Sequence, residues 1–172
     1  MKIKKRGLSA IVASVLLILL TISAVAIVAN FIIPFTDKSL ESTECFKFRD
    51  YFAFDESFNY NCYDNNNNIY LLTIKARADN SSSEKVLGFK LRFLGGGNAI
   101  SVDGLSGDPA GDLAMFDNVG NGKIIVPSPG GRYSALSYNY SSDYNYEKVE
   151  VYPVLEGGRV CDVSDSIKMI DC

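Results

Sequence analysis

Residues 8–35 read LSAIVASVLLILLTISAVAIVANFIIPF, a stretch without a single charged side chain. As a helix it runs ~40 Å at 1.5 Å per residue, longer than the hydrocarbon core of a bilayer. A helix apolar on every side has no aqueous face, so its stable surroundings are lipid or other apolar helices. Immediately ahead of it, Lys2, Lys4, Lys5 and Arg6 place four positive charges in six residues. Such a cluster stays on the cytoplasmic side of a membrane, which puts the chain after the helix outside.

Charge is polarised along the chain. The formal net charge is −3, but with those four cations set aside 13 basic side chains face 20 acidic ones, or −7. An acidic body lacks the clustered Lys and Arg that phosphate binding needs, which excludes nucleic acid as a partner class. A length of 172 residues fits one compact domain with room for one accessory segment.

Three processing histories fit a basic leader followed by an apolar helix. An ordinary secretory signal would be cut near Ala24 and Ala26, yet the apolar run continues through Ile27, Val28, Phe31, Ile32 and Ile33, beyond a signal core of about 7–15 residues. A permanent signal anchor explains the hydropathy and charge asymmetry but gives Gly7 no role. The third history uses that glycine. Lys4-Lys5-Arg6-Gly7-Leu8-Ser9, leading straight into a long apolar helix, resembles the class III signal of archaeal type IV pilins and archaellins. In that family a membrane aspartic peptidase cuts after the glycine.

The resemblance covers about the first thirty residues and implies cleavage between Gly7 and Leu8, with Arg6, Gly7 and Leu8 forming the processing site. It further implies that the helix is kept and packs into the core of a helical homopolymer through Leu8, Ala10, Val12, Ala13, Leu16, Leu17, Leu20, Val25 and Phe31. The implied partners are copies of the chain itself, a prepilin peptidase, a cytoplasmic assembly ATPase and a polytopic platform protein. The precursor is expected in the cell membrane and the product in an extracellular adhesive filament. Val12 stands at the fifth mature position, where bacterial type IV pilins usually carry glutamate, and this favours the archaeal branch. Ala10 lies where archaeal pilins often have a proline, and the glycine-rich start of archaellins is absent. Physically, four attached cations would be desolvated if that end were buried among helices, so removal of the leader licenses assembly. Small residues at helical spacing, Ser9 with Ala13 and Ala10 with Ser14, permit close helix approach, although they serve equally as spacers in a single span.

Pro34 lacks a donor N–H and ends or kinks the helix. The expected organisation is a leader at 1–7, a filament-core helix at 8–36, a neck at 37–45 and an extracellular head at 46–172. In the head the hydrophobic period changes to twofold. Leu87, Phe89, Leu91 and Phe93 alternate with Gly88, Lys90 and Arg92, and Tyr70, Leu72, Ile74 and Ala76 alternate with Leu71, Thr73, Lys75 and Arg77. With the loop 79–83 between them, these two strands are expected to form a hairpin. Further strands are expected at 124–126, 133–140, 148–154 and 167–170. The fold class is therefore α+β: one long helix and an all-β head, expected to be an immunoglobulin-like sandwich with an aromatic core.

The glycine-rich stretch 95–122 reads as a long connection, and 64–68 as an exposed loop in which disorder outweighs binding. Asp103, Asp108, Asp112 and Asp117 do not match the EF-hand spacing, so no metal site is assigned. Cys45, Cys62, Cys161 and Cys172 all follow the helix and are disulfide candidates in an oxidising compartment. Three pairings are open, of which 45–62 with 161–172 would close two short loops. Zinc is disfavoured, since there is no histidine and no closely spaced cysteine pair. Asn80-Ser81-Ser82 and Asn139-Tyr140-Ser141 are N-glycosylation acceptor patterns. Without histidine the commonest general base is missing, and no glycine-rich loop has phosphate-cradle spacing. No cofactor and no enzymatic activity are expected.

Overall fold

A computed structural model describes residues 6–32, 45–57, 60–77, 86–109, 111–116, 121–130 and 132–172, with side chains from residue 11 onward. The chain divides into two compact units, 1–43 and 44–172.

The first unit contains α1, Arg6–Ile27, which passes into a π-helical turn, Val28–Ile32. Within that turn Asn30 Nδ2 donates to the Ala26 carbonyl at 2.8 Å. Pro34 and most of the expected neck lie outside the described residues.

Among the described residues the second unit has eleven strands in two sheets. Sheet 1 contains β1 (Phe52–Phe54), β2 (Cys62–Asp64), β3 (Ile69–Ala76), β6 (Leu113–Met115), β7 (Ala135–Ser141) and β11 (Ile170–Asp171). Its order is β11-β2-β3-β7-β6, with β1 taking the part of the β3 edge that β2 leaves free. Sheet 2 contains β4 (Val86–Gly95), β5 (Asn98–Leu105), β8 (Lys148–Leu155), β9 (Arg159–Val160) and β10 (Asp165–Lys168), in the order β10-β8-β4-β5 with β9 on β8. All pairs are antiparallel except β11 with β2.

Inward-facing residues of both sheets meet in one core. Tyr70, Leu72 and Ile74 of β3 and Tyr138 of β7 lie against Phe89, Leu91 and Phe93 of β4 and Val149 and Val151 of β8. Aromatic edges do much of the joining: Phe89 meets Phe52 at 5.8 Å and Tyr138 at 5.0 Å, and Phe93 meets Tyr70 at 5.0 Å, each close to T-shaped. Gly104 lies opposite Phe89 in the register, and a Cβ there would overlap the Phe89 ring. Its absence is what lets that ring lie flat over β5.

Several expectations change. The alternation in β3 and β4 is real, but the two strands do not pair with each other. β3 pairs with β1, β2 and β7, whereas β4 pairs with β5 and β8 in the other sheet. Leu87, expected inside, is exposed, because the register of β4 on β8 shifts between Val86 and Gly88. The stretch 95–122 is not one long connection. Gly96 and Gly97, at φ +53° and +82°, turn β4 directly into β5, and β6 follows at 113–115. Ile124 forms only an isolated bridge to Gly107 rather than a strand. Residues 64–68 are an ordered turn: Asp64 Oδ1 accepts the Asn66 N–H at 2.9 Å, and Asn68 takes the left-handed conformation that closes the hairpin.

Candidate functional site

Every residue from Ile11 to Ile32 is exposed, on all sides of the helix. The side chains that sequence assigns to a filament core are among them: Val12, Ala13, Leu16, Leu17, Leu20, Val25 and Phe31. Arg6, Gly7, Leu8 and Ala10 fall in the first turns of α1. No acidic residue lies in the first turn of α1.

Four polar residues interrupt the apolar surface after Ile11, and each donates a hydrogen bond within the helix. Ser14 Oγ donates to the Ile11 carbonyl, Thr21 Oγ1 to Ile18, Ser23 Oγ to Leu19 and Asn30 Nδ2 to Ala26, all at 2.8 Å. A hydroxyl without a partner in hydrocarbon costs several kcal/mol, roughly 4–8 on a cyclohexane scale, and here that cost is removed locally. The helix is long and apolar enough to cross a membrane. It presents lipid, or a neighbouring apolar helix, with three hydroxyl protons already met and one amide N–H of Asn30 met within the helix. Each fully buried Leu, Ile or Val is worth about 1.5–3 kcal/mol against exposure, so leaving this surface in water is unfavourable.

All four cysteines form disulfides, in the crossed pairing: Cys45 with Cys161 and Cys62 with Cys172, at sequence separations of 116 and 110. Neither short loop, 45–62 or 161–172, is closed. Cys45, which sequence places in the neck, therefore belongs to the β unit and ties its entry point to the segment after β9. Cys172 is bonded beside β11, which is itself held against β2.

Asn139 sits in mid-β7 between β3 and β6, half-buried, with Oδ1 buried and without a partner. Asn80 and Asp117 lie outside the described residues. Asp103 pairs with Lys90 at 3.0 Å, and no three acidic or cysteine side chains gather as a metal-holding group among the described residues.

Three carboxylates are held in ionised form by their neighbours, Asp64 through hydrogen bonds from the Asn67 side chain and the Asn66 N–H. Hydrogen bonds from Ser57, together with the Lys75 ammonium at 3.3 Å, keep Asp55 below the usual carboxylate range despite partial burial. For Glu150, burial acts upward, but hydrogen bonds from Lys148 and Tyr152 outweigh it and the net shift is downward. Sequence reading missed all three, since each depends on side chains brought together by a turn, along one strand face or between strands.

No family model, no curated protein and no solved structure matches this chain.

Proposed function

We propose that the chain is a structural subunit of a type IV pilus-like extracellular filament, processed after Gly7 and assembled through its N-terminal helix. One observation carries the reading: an exposed, all-round apolar helix whose few polar side chains each donate a hydrogen bond within the helix, set directly behind a basic leader that ends in glycine. While the leader is attached, its four cations keep that end at the membrane surface. Once it is removed, the helix leaves lipid for copies of itself, chiefly by van der Waals packing of its apolar surface.

The remaining parts of the reading follow the resemblance to archaeal pilins. A prepilin peptidase, an assembly ATPase and a platform membrane protein are its partners, the precursor lies in the cell membrane with its β unit outside, and the product is an adhesive filament on the cell surface. Two disulfides in the β unit support an oxidising, extracellular setting. The immunoglobulin-like assignment of the head belongs to the same proposal and is supported by two mainly antiparallel sheets around one core. The reading includes no catalytic step and no cofactor.

Mass spectrometry of the N-terminal peptide from cells that make the protein tests it. A mature chain beginning at Leu8 is the expected result. A chain beginning at Met1 or Lys2 removes the filament reading and leaves the second one, a permanently anchored binding module. That alternative is favoured by the crossed disulfides, which make the β unit rigid without any need for a polymer. A minor pilin that primes or caps the fibre also begins at Leu8, and electron microscopy of purified filaments separates it from a major subunit.

A further inference from the structure

The two ends of the β unit differ. At one end Phe52 pairs with Ala76 and Val86 with Leu155, and there Cys45 is bonded to Cys161. At the other, Ile69 pairs with Ser141, Gly95 with Asn98 and Leu94 with Lys148. β3 separates the two ends by about 25 Å at ~3.3 Å per residue. The second end carries a groove of about 360 Å³ lined by Tyr63, Asn145, Tyr146, Glu147, Ile170 and Asp171. That volume is within the range of small-ligand sites, about 300–1,000 Å³.

Its walls are held in place by bonds between separate segments. Asn65 Nδ2 donates to Asp171 Oδ1 at 2.7 Å, and Asn68 Nδ2 donates to Asp143 Oδ1 at 3.2 Å. Tyr63 Oη lies 3.1 Å from Asn68 Oδ1 and 3.3 Å from the Ser142 carbonyl, donating to both. The Ser142 N–H donates to the Asn68 carbonyl at 3.0 Å, and Tyr144 Oη to the Gly95 carbonyl at 3.2 Å. The disulfide of Cys172 to Cys62 anchors the strand that carries Asp171. A surface ordered in advance loses little entropy when a ligand arrives.

Chemistry narrows the ligand. Among the described residues no Lys or Arg lines the groove, while Glu147 and Asp171 contribute two carboxylates. Anions are therefore repelled, which removes phosphate, sulfated and nucleic acid ligands. Among the described residues, the exposed Asn145 amide and Glu147 carboxylate have no side-chain hydrogen bond or ion pair, and Asp171 keeps Oδ2 free beside its bond to Asn65. The lining thus offers charged acceptors for O–H donors and one amide able to donate and accept together. Ile170, 57% exposed, supplies apolar surface for a C–H face.

We propose that this groove binds a short neutral oligosaccharide, whose hydroxyls donate to Glu147 and Asp171 and bridge the Asn145 amide. The proposal names the ligand class for the adhesive part of the proposed function, on which it rests, and does not depend on cleavage after Gly7.

The test uses the full chain in phosphatidylcholine nanodiscs on a printed array of neutral and anionic glycans, followed by calorimetric titration with the best-retained neutral glycan. Expected are retention of neutral glycans and a loss of affinity of about tenfold or more in both Asn145→Ala and Glu147→Gln, from the charge-assisted or bidentate hydrogen bonds removed. Both substitutions are at exposed positions, and thermal melts equal to the parent show that folding is unchanged. Retention of anionic glycans alone, no retention at all, or undiminished binding in both variants overturns the proposal. None of these results alters the mass of the N-terminal peptide, so the two readings fail separately.

Discussion

Ser164 Oγ accepts the Phe52 N–H at 2.9 Å and donates back to the Phe52 carbonyl at 2.8 Å, across 112 residues of sequence. One step further on, the Phe54 N–H donates to Asp165 Oδ2 at 2.9 Å. Phe52 and Phe54 belong to sheet 1, and Asp165 opens β10 of sheet 2, so two side chains complete the outer edge of a three-residue strand and join the sheets there. An edge finished in this way offers no template for another strand.

Ser164→Ala removes both halves of this reciprocal pair and leaves a buried N–H and carbonyl unmet. The expected loss is about 1–3 kcal/mol, lowering Tm by roughly 5–10 °C in a unit of this size. Calorimetry of the full chain measures it, and an unchanged melt would show that water replaces the hydroxyl without cost.

The crossed disulfides make a discrete prediction for a non-reducing peptide map. Peptides containing Cys45 and Cys161 should be linked to each other, as should those containing Cys62 and Cys172. Each bond closes a long loop, so the double variant Cys62→Ser with Cys172→Ser is expected to lose about 2–5 kcal/mol in urea titration. A linked pair joining Cys45 to Cys62 contradicts the fold described above.

Phe89 and Gly104 should be energetically coupled. Gly104→Ala forces a Cβ into the Phe89 ring, at an expected cost of about 1–3 kcal/mol. Adding Phe89→Leu to that variant should cost less than the sum of the two single changes, because each relieves the other. Strict additivity in a double-mutant cycle would deny the contact. Gly97→Ala serves as a comparison: at φ +82° with open space around it, only backbone strain of about 1–2 kcal/mol is expected there.

Stability should decline at both extremes of pH. Burial pushes the Tyr70 phenol up to about 12 and also raises Tyr51 and Tyr138. The folded chain thus keeps protons that the unfolded chain releases near pH 10, so stability is intact below that value and falls as pH rises through the folded values. Asp55 behaves oppositely. Its folded value is lowered, chiefly by hydrogen bonds from Ser57, so its contribution is present above about pH 4 and is lost as pH falls through that lowered value. Urea midpoints measured from pH 3 to 12 should trace both limbs, and Asp55→Asn should flatten the acid one alone.

Much of this was legible in the residues. The uncharged run at 8–35 needs a helix in an apolar setting whatever follows it, and the twofold alternation of Tyr70, Leu72, Ile74 and Ala76 gives β3 its buried face, as the structure confirms. Phe89, Leu91 and Phe93 are buried as their spacing requires. Less legible was β5, whose Asp103-Gly104 pair reads as a turn. Gly104 instead lies within a strand, where the facing Phe89 ring occupies the space a side chain would need.

What sequence determines here is whatever depends on a residue and its near neighbours: helix or strand, which face is apolar, where charge stops. Which strands become partners is a different kind of fact. β3 and β4 look like neighbours because nine residues separate them, yet β3 pairs with β1, β2 and β7 and β4 with β5 and β8, so that both apolar faces close over one core. The same burial brings Cys45 beside Cys161 and Cys62 beside Cys172, a pairing that spacing leaves open among three. Alternation is a local property of a chain, whereas pairing is settled by the free energy of the whole core. That is why the strands could be read from the residues and their partners only from the fold.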